Sequence, residues 1–283
     1  MADTTAVDMV EQIGRAGFCL LEGVIPKEKV DPIRAEVSRV QAEHHADSER
    51  EKEATRARGH RIGARGVGSM RQVINATQAF AAHLADRQVM DIVEGCFGLW
   101  SRISCTDCVI NEPGNERGYW HADWPYNQTN ASHVLSPYPD CLMHLSTIWM
   151  LTDFRADNGG TWVLPASHRT LQNPSSGAMD SVDRDGPLPG EVQVEGKAGS
   201  VLIYDSRLWH AVAANTSSER RVALLVRYAP WWLNLNPTQP GSPEYQMMVA
   251  ETGGKIYEVP PLQKDIYEQL PNAVQTLYRH WVQ

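Results

Sequence analysis

The amino-acid sequence predicts a mainly β core of the sandwich or barrel type, with helices before and after it along the chain. From about residue 101, short runs rich in Val, Ile, Thr, Trp and Tyr are separated by clusters of Gly, Pro, Asn and Asp. Many short strands with this punctuation are typical of sandwiches and barrels rather than of alternating β–α units. Helical spacing dominates the first hundred residues and returns near the end. We therefore expect one domain over residues 1–283, with a mostly helical part (1–100), a β core (101–230) and a helical extension (231–283).

The N-terminal part contains two predicted helices. In the first, apolar residues recur three and four positions apart and therefore share one face: Val30, Ile33, Val37 and Val40. Pro26 precedes this helix, where a missing amide proton costs little. The second predicted helix covers residues 87–98, which have similar spacing and end at a glycine. Residues 17–24 form a short apolar strand candidate before the first helix.

An Arg- and Gly-rich segment lies between the two helices. Residues 56–71 contain five arginines and four glycines, a composition that predicts a loop rather than a regular element. One interpretation is a solvated basic loop. The other is a flap over an active site, in which case its arginines would meet an acidic substrate.

The β core is predicted from eight strand candidates: 102–110, 117–123, 142–153, 161–164, 191–195, 200–205, 208–213 and 220–228. Residues 165–190 form a long polar insertion between two of these candidates. Residues 264–282 return to helical spacing, with Pro271 as a break.

Composition and charge argue against several classes of protein. The net charge of −8 gives no general attraction to phosphate groups, so neither nucleic acid nor an anionic membrane is an expected partner. No apolar run approaches the length of a membrane span, and the N-terminus does not resemble a secretory signal. Five scattered cysteines fit free thiols better than a disulfide framework. We expect a cytoplasmic protein that acts on a small molecule, and the sequence does not indicate its oligomeric state.

Three residues in two distant segments have the chemistry of a metal site. On a strand, residues i and i+2 point to the same face, so His121 and Asp123 in the segment GYWHADW would project together. Much later in the chain, an apolar strand and a turn lead to His210. Two histidines and one carboxylate form the facial triad of non-haem iron(II) oxygenases, which leaves coordination positions open for a co-substrate and dioxygen. These three residues are therefore predicted to be both metal ligands and catalytic residues.

An arginine follows the second histidine at the start of the next strand candidate. A 2-oxoacid that chelates iron through its keto oxygen and adjacent carboxylate needs a cation for its far carboxylate. Arginine suits this role because its planar fork binds a carboxylate through two parallel hydrogen bonds. Arg221 is the first candidate, adjacent Arg220 is a weaker one, and Arg227 is a third.

With these motifs, the sequence resembles the phytanoyl-CoA dioxygenase family of Fe(II)- and 2-oxoglutarate-dependent oxygenases. The resemblance rests on HAD at 121–123, LTDFRADNGGTWVLPASH at 151–168 and WHAVAANTSSERR at 209–221. It implies a double-stranded β-helix, a cupin-like jelly roll with the metal at one mouth. Residue by residue, the two histidines and the aspartate match the iron ligands of the family, and Arg221 matches the arginine that binds the distal carboxylate of 2-oxoglutarate.

The resemblance also implies the cofactors and the reaction. The cofactors are Fe(II), 2-oxoglutarate as co-substrate and O2. The expected reaction is hydroxylation of an unactivated C–H bond of a small organic substrate with release of succinate and CO2, while desaturation, epoxidation and cyclisation stay open. Related halogenases replace the carboxylate ligand with a small residue, so Asp123 disfavours halogenation.

One departure from the family pattern concerns the co-substrate. Many relatives carry a small hydroxylated residue two positions after the distal histidine, where this chain has Val212. Thr147, on the candidate strand 142–153, is a candidate to replace that hydrogen bond and is therefore a second predicted cofactor-binding residue.

Other residues and two other classes of function remain open. Trp124 and Tyr126 are candidates for the substrate wall, while His168 and the pair Cys105 and Cys108 are interpreted as structural. One alternative is a cupin-like metal enzyme that does not use 2-oxoglutarate, such as a hydrolase or isomerase. The other is a non-catalytic ligand-binding barrel. The Arg/Gly segment permits an acidic or CoA-linked substrate, but natural-product-like and amino-acid-like molecules are equally compatible.

Overall fold

In the computed structural model of the chain, the described residues are 4–123, 141–170, 174, 185–251 and 258–283. They form a jelly-roll core of two antiparallel sheets with helices packed around it. Trp124, Tyr126 and much of the polar insertion 165–190 lie outside the described residues. Among the described helices, none combines the length and the apolar character that a membrane span requires.

The strands of the described chain divide into a large sheet and a small one. Their bounds are β1 Phe18–Leu21, β2 Val67–Met70, β3 Arg102–Asn111, β4 Leu145–Met150, β5 Thr161–Val163, β6 Val192–Val194, β7 Val201–Asp205, β8 His210–Val212 and β9 Arg221–Ala229. The large sheet has the order β1-β7-β4-β9-β3-β2, and the small sheet has the order β6-β5-β8. Non-consecutive neighbours such as β4 and β9 give the crossed connections of a double-stranded β-helix.

Helices cover the outer face of the large sheet and both ends of the described chain. Their bounds are α1 Thr4–Ala16, α2 Lys27–Ala57, α3 Arg87–Phe97, α4 Pro243–Tyr245, α5 Lys264–Gln269 and α6 Asn272–Tyr278. The predicted break at Pro271 is confirmed, since this residue separates α5 from α6.

The two predicted N-terminal helices are confirmed, and their sequences explain them. The four apolar residues of the predicted face of α2 are all buried in the core, and each such side chain contributes about 1.5–3 kcal/mol by leaving water. Asp86 caps the N-terminus of α3, where its side chain accepts a hydrogen bond from the amide of Gln88 at 2.9 Å. The helix ends at Gly98, which has a positive φ of 73°.

The Arg/Gly segment is only partly a loop, so the prediction for residues 56–71 is wrong at both ends. Helix α2 continues to Ala57, and β2 pairs with β3 at the edge of the large sheet. Strand β3 supplies backbone partners there, which the side-chain composition does not reveal. Helix α2 packs closely on β2 at Gly68, where a Cβ would lie 2.7 Å from Nε2 of Gln41 and would require that side chain to move.

The candidate strand 117–123 is not a regular strand. Its backbone runs antiparallel to β8 and donates hydrogen bonds from Gly118 to Val212, from His121 to His210 and from Asp123 to Ser206. The register shifts between these bonds, so His121 and His210 form an isolated bridge rather than part of a ladder. The segment therefore extends the small sheet without repeating its regular geometry.

Candidate active site

The structure brings together the three predicted metal ligands. The amide of His121 donates to the carbonyl of His210 at 3.0 Å, and the reverse bond is 2.9 Å, so the two residues lie directly opposite each other. Their ring centroids are 4.2 Å apart. A ring nitrogen of His121, a carboxylate oxygen of Asp123 and a ring nitrogen of His210 all lie within 4.8 Å of one another. Such a group could hold one metal ion.

Backbone carbonyls orient both imidazoles. Nδ1 of His121 lies 3.1 Å from the carbonyl oxygen of Tyr119, and Nδ1 of His210 lies 2.9 Å from that of Leu208. A carbonyl oxygen only accepts hydrogen bonds, so each Nδ1 carries a proton, which leaves Nε2 as the ring atom that can bind a metal. Partners of this kind fix the tautomer and the ring orientation of metal-ligating histidines.

Three donors surround the carboxylate of Asp123. Its Oδ2 accepts hydrogen bonds from Ser146 at 2.7 Å and from Tyr204 at 2.9 Å. Its Oδ1 lies 3.0 Å from Nη2 of Arg227 and 3.8 Å from Nε2 of His210. Burial alone would raise the pKa of this carboxyl group, but the charge of Arg227, the two histidines and the Ser146 bond hold the pKa well below its usual range. The group is therefore a carboxylate.

A chain of hydrogen bonds leads from this carboxylate to His144. The hydroxyl of Ser146 lies 2.8 Å from that of Ser206, which lies 2.8 Å from Nδ1 of His144. Nε2 of His144 in turn lies 2.8 Å from the hydroxyl of Ser104. Burial lowers the pKa of His144 to about 3, so its ring is neutral. The sequence did not indicate this network.

The metal-ligand group lies in the wall of a cavity of about 450 Å³. The inner face of the large sheet forms one side, and α2, residues 62–64 and β2 form another. Residues 258–260 also line the cavity. A cavity of this size accommodates a small organic molecule.

Arg221 lies in the same cavity wall and is almost fully buried. Its Nε donates a hydrogen bond to the carbonyl oxygen of Gly159 at 3.0 Å, and its guanidinium stacks 4.5 Å from the centre of the Phe154 ring. Burial lowers its pKa to about 9, and among the described residues no carboxylate forms an ion pair with it. A buried cation of this kind is suited to an anionic ligand.

The other two candidate arginines are paired with carboxylates of the chain. Arg220 is exposed and binds Glu112 at 2.8 Å, and Arg227 contacts Asp123. The structure therefore favours Arg221 over both.

Thr147 does not reach the cavity, which corrects its assignment as a cofactor-binding residue. Its hydroxyl donates to the carbonyl oxygen of Val226 at 2.8 Å and accepts from the indole of Trp149 at 2.8 Å. Successive strand residues point to opposite faces, and it is Ser146 and Ile148 of β4 that face inward toward the metal-ligand group and the cavity. Val212 itself lines the cavity, and its cross-strand partner Thr161 lies in the same wall.

The residues interpreted as structural lie in packed surroundings. His168 is buried, with Nε2 3.2 Å from the carbonyl oxygen of Gly14. Cys105 and Cys108 are both free thiols on opposite faces of β3; Cys108 belongs to the main core, and Cys105 lines the cavity.

The sequence interpretation missed the residues that support the metal ligands; of these it named only Arg227, and that for a different role. Ser146, Tyr204 and Arg227 hold Asp123, and Ser206 connects it to His144. One signal was present: single polar side chains, such as Ser146 and Arg227, within largely apolar strands. It could not be used without knowing which face of each strand is turned toward the ligands.

This jelly-roll fold and this group of two histidines and one carboxylate define the class of non-haem iron oxygenases. The model of the phytanoyl-CoA dioxygenase (PhyH) family matches residues 13–223, and the chain belongs to this family. It is therefore a 2-oxoglutarate-dependent iron dioxygenase.

Relatives and solved structures are similar over most of the chain. The ectoine dioxygenase of Bordetella bronchiseptica is 26% identical over 261 residues, which cover 85% of this chain and 80% of that protein. The ectoine dioxygenase of Nocardia farcinica is 27% identical over 233 residues, covering 74% of this chain and 72% of that protein.

Two solved structures share the fold. HygX from Streptomyces hygroscopicus, with nickel, 2-oxoglutarate and hygromycin B bound, has a TM-score of 0.59 at 15% identity, covering 80% of this chain and 88% of that one. The epimerase SnoN, in complex with Fe3+, alpha ketoglutarate and nogalamycin RO, has a TM-score of 0.59 at 18% identity, covering 80% and 84%.

Proposed function

We propose that this chain hydroxylates an unactivated C–H bond of a small organic molecule, using Fe(II), 2-oxoglutarate and O2 and releasing succinate and CO2. The observation that carries the proposal is the convergence of His121, Asp123 and His210 in the wall of a cavity that also contains the buried guanidinium of Arg221.

The described residues fit an iron ion. Nε2 of both histidines would hold it, since both Nδ1 atoms are already bound to backbone carbonyls. Oδ1 of Asp123 would be the third ligand, because it accepts one hydrogen bond, from Arg227, whereas Oδ2 accepts two. Two neutral imidazoles and one carboxylate suit Fe(II) and leave part of its coordination sphere open. When bound, iron supplies the activation of O2 that is coupled to oxidative decarboxylation of 2-oxoglutarate.

The protein's own side chains orient the reactants. Arg221 would bind the distal carboxylate of 2-oxoglutarate through paired hydrogen bonds, with the stack on Phe154 and the bond to Gly159 holding its guanidinium in place. Tyr204 and Ser146 fix the direction of the Asp123 carboxylate. The apolar parts of the cavity wall would exclude water and hold the C–H bond of the substrate near the metal.

We also propose that residues 1–283 act as one domain and that the protein works in the cytoplasm. The large apolar core is shared by helices from both ends of the chain and by the large sheet, which supports a single domain. All five cysteines are free thiols, as is usual in a reducing compartment. A small-molecule partner remains the expectation, with neither nucleic acid nor a membrane.

The test is an anaerobic titration of the metal-free protein with Fe(II) and 2-oxoglutarate. We expect a weak visible charge-transfer band, followed by succinate formation once substrate and O2 are supplied. His121→Ala should abolish both signals. His83→Ala is the matched control, since His83 lies in a short outer helix and does not line the cavity. An intact band and normal turnover in His121→Ala would end the proposal.

A further inference from the structure

The small sheet brings one further polar side chain, that of Thr161, into the cavity wall beside the metal-ligand group. In the pairing of β5 with β8, Val163 lies opposite His210. Two residues away in the same ladder, Thr161 lies opposite Val212, and both of these residues line the cavity. Residues i and i+2 of a strand point to the same face. Thr161 and Val212 therefore face the side of the sheet on which His210 meets the other metal ligands.

The hydroxyl of Thr161 has no hydrogen-bond partner within the described part of the chain. Thr161 is only 4% exposed, and none of the hydrogen bonds among the described residues involves its side-chain oxygen. Its cross-strand neighbours on both sides are valines, Val194 and Val212. A buried hydroxyl without a partner costs free energy, and valine would fill the same space without that cost. Packing therefore does not explain the threonine, whereas a ligand that accepts its hydrogen bond would.

The buried guanidinium of Arg221 is held close to this part of β5. Its Nε donates to the carbonyl oxygen of Gly159, two residues before Thr161, and its plane stacks on Phe154. Phe154 and Val163 belong to one apolar cluster that contains residues of both sheets. The bond to Gly159 occupies Nε, which leaves the two Nη atoms of Arg221 as donors for a ligand.

The positions of these groups fit the two ends of 2-oxoglutarate. Residues 210 and 212 are separated by about 7 Å along a strand, which is comparable with the length of a five-carbon diacid. With the chelating end of 2-oxoglutarate at His210, its distal carboxylate would lie at the level of Thr161 and Arg221. A carboxylate can accept about four hydrogen bonds and a guanidinium fork uses two of these positions, so a hydroxyl can donate to another.

Resting on the proposed function, we propose that the Thr161 hydroxyl donates a hydrogen bond to the distal carboxylate of 2-oxoglutarate, beside the guanidinium of Arg221. Thr161 thereby supplies, from the neighbouring strand, the hydroxyl that Val212 lacks. Directly opposite residues of an antiparallel pair have Cβ atoms about 4.5–5.5 Å apart, so hydroxyls at the two positions can reach the same carboxylate. Thr161 is thus a co-substrate-binding residue.

The test is the affinity for 2-oxoglutarate, measured by anaerobic calorimetry on the Fe(II)-loaded protein. Thr161→Val keeps the branched shape but removes the hydroxyl, and it should weaken binding by about tenfold or more, as expected for loss of a hydrogen bond to a charged group. Thr161→Ser retains the hydroxyl and should bind nearly as tightly as the wild type. Thr216→Val is the matched control, because Thr216 is exposed, bonds to the carbonyl oxygen of Asp157 and does not line the cavity as described.

A double variant moves the hydroxyl across the strand pair. When Thr161→Val is combined with Val212→Thr, residue 212 supplies the hydroxyl, and most of the lost affinity should return. Recovery requires that the two positions serve the same carboxylate. Wild-type affinity in Thr161→Val, an equally large loss in Thr161→Ser, or no recovery in the double variant would each overturn the proposal.

Melting temperatures separate co-substrate binding from a structural role of Thr161. A hydroxyl without a partner in the protein does not stabilise the fold, so metal-free Thr161→Val should melt at or above the wild-type temperature. Fe(II) and 2-oxoglutarate together should raise the melting temperature less in this variant than in the wild type, because a ligand stabilises the native state according to its affinity. A lower melting temperature of the metal-free variant with an undiminished rise on ligand binding would mark Thr161 as structural and overturn the proposal.

Failure of this proposal differs from failure of the proposed function. If the wild-type protein with Fe(II) does not bind 2-oxoglutarate, or gives no charge-transfer band, the proposed function is wrong whichever residue stands at position 161. If the wild type binds 2-oxoglutarate and Arg221→Ala weakens that binding while Thr161→Val does not, only the role of Thr161 is wrong.

Discussion

The large sheet has two faces that differ in kind although they are built from the same strands. On the inner face, Ser146 of β4, Tyr204 of β7 and Arg227 of β9 surround Asp123, and Arg221 lies further along β9. On the outer face, the residues next to them belong to the core that the helices share: Leu145, Ile203, Val222 and Val226. Along each strand, a residue that faces the candidate site is therefore adjacent to one that packs in the core.

This difference shows why register matters more than composition in this fold. A slip of one residue would turn every side chain of a strand to the other face, so that Arg221 would enter the apolar core and Val222 the cavity. The helix-facing residues prevent such a slip, because exposing any one of them would forfeit about 1.5–3 kcal/mol of burial. The apolar outer face thus fixes the positions of the polar groups inside.

The largest effect is expected at Arg221, where the inner face would hold the co-substrate. Arg221→Ala should raise the KM for 2-oxoglutarate by roughly 10–150-fold, because hydrogen bonds to a charged group contribute about 1.5–3 kcal/mol. The measurement is succinate formation as a function of 2-oxoglutarate concentration.

Arg220→Ala is a matched control for this prediction. It is the adjacent residue, it is exposed, and it binds Glu112 at the surface, so the KM should stay close to that of the wild type. If Arg221→Ala and Arg220→Ala had the same KM for 2-oxoglutarate, Arg221 would not be the residue that binds the co-substrate. The inner face of the sheet would then lack the co-substrate site that distinguishes it from the outer face.

A smaller effect is expected from the donors to Asp123. Tyr204→Phe removes the 2.9 Å bond to Oδ2 while keeping the ring, and loss of such a supporting bond typically weakens metal binding by about 10–100-fold. Ser146→Ala should act in the same direction. Fe(II) affinity, measured by anaerobic competition with a chelator, tests both variants.

Tyr228→Phe is the outer-face counterpart of Tyr204→Phe. The Tyr228 hydroxyl donates to the carbonyl oxygen of Leu84, on the side of the helices. Its loss should cost stability of about 1 kcal/mol and leave Fe(II) affinity unchanged. Weakened iron binding in this variant would mean that the two faces are not functionally separate.

The grouping of the three candidate metal ligands could be predicted from the sequence because their chemistry is carried by a few residues at fixed spacings. His121 and Asp123 are two residues apart, and the segments around His210 and Arg221 match a known family pattern. The three side chains converge without the regular strand that the prediction assumed, because the irregular bonds to β8 still turn His121 and Asp123 toward His210.

Two features could not be predicted from the sequence: which residues of each strand face the site, and which part of the Arg/Gly segment forms β2. The face to which Thr147 points is set by the pairing of β4 with β7 and β9, which no local pattern encodes. The part of the Arg/Gly segment that becomes β2 does so because the edge of β3 is available to pair with it. In both cases the decisive partner is distant in the sequence.

The smallest effect on catalysis is expected at Thr147. Variants of this residue also test most directly whether the outer face of the sheet contributes to stability and not to co-substrate binding. Thr147→Val keeps the shape of the side chain but removes the acceptor of the Trp149 indole and the donor to the carbonyl oxygen of Val226. A buried donor left without a partner costs about 1–3 kcal/mol, so the free energy of unfolding should fall by that amount in chemical denaturation. Thr147→Ser retains the hydroxyl and should recover most of the hydrogen-bonding contribution.

The KM for 2-oxoglutarate should not change in either variant, because the hydroxyl points away from the cavity. A rise in KM in Thr147→Val that Thr147→Ser reverses would place this hydroxyl in the co-substrate site after all.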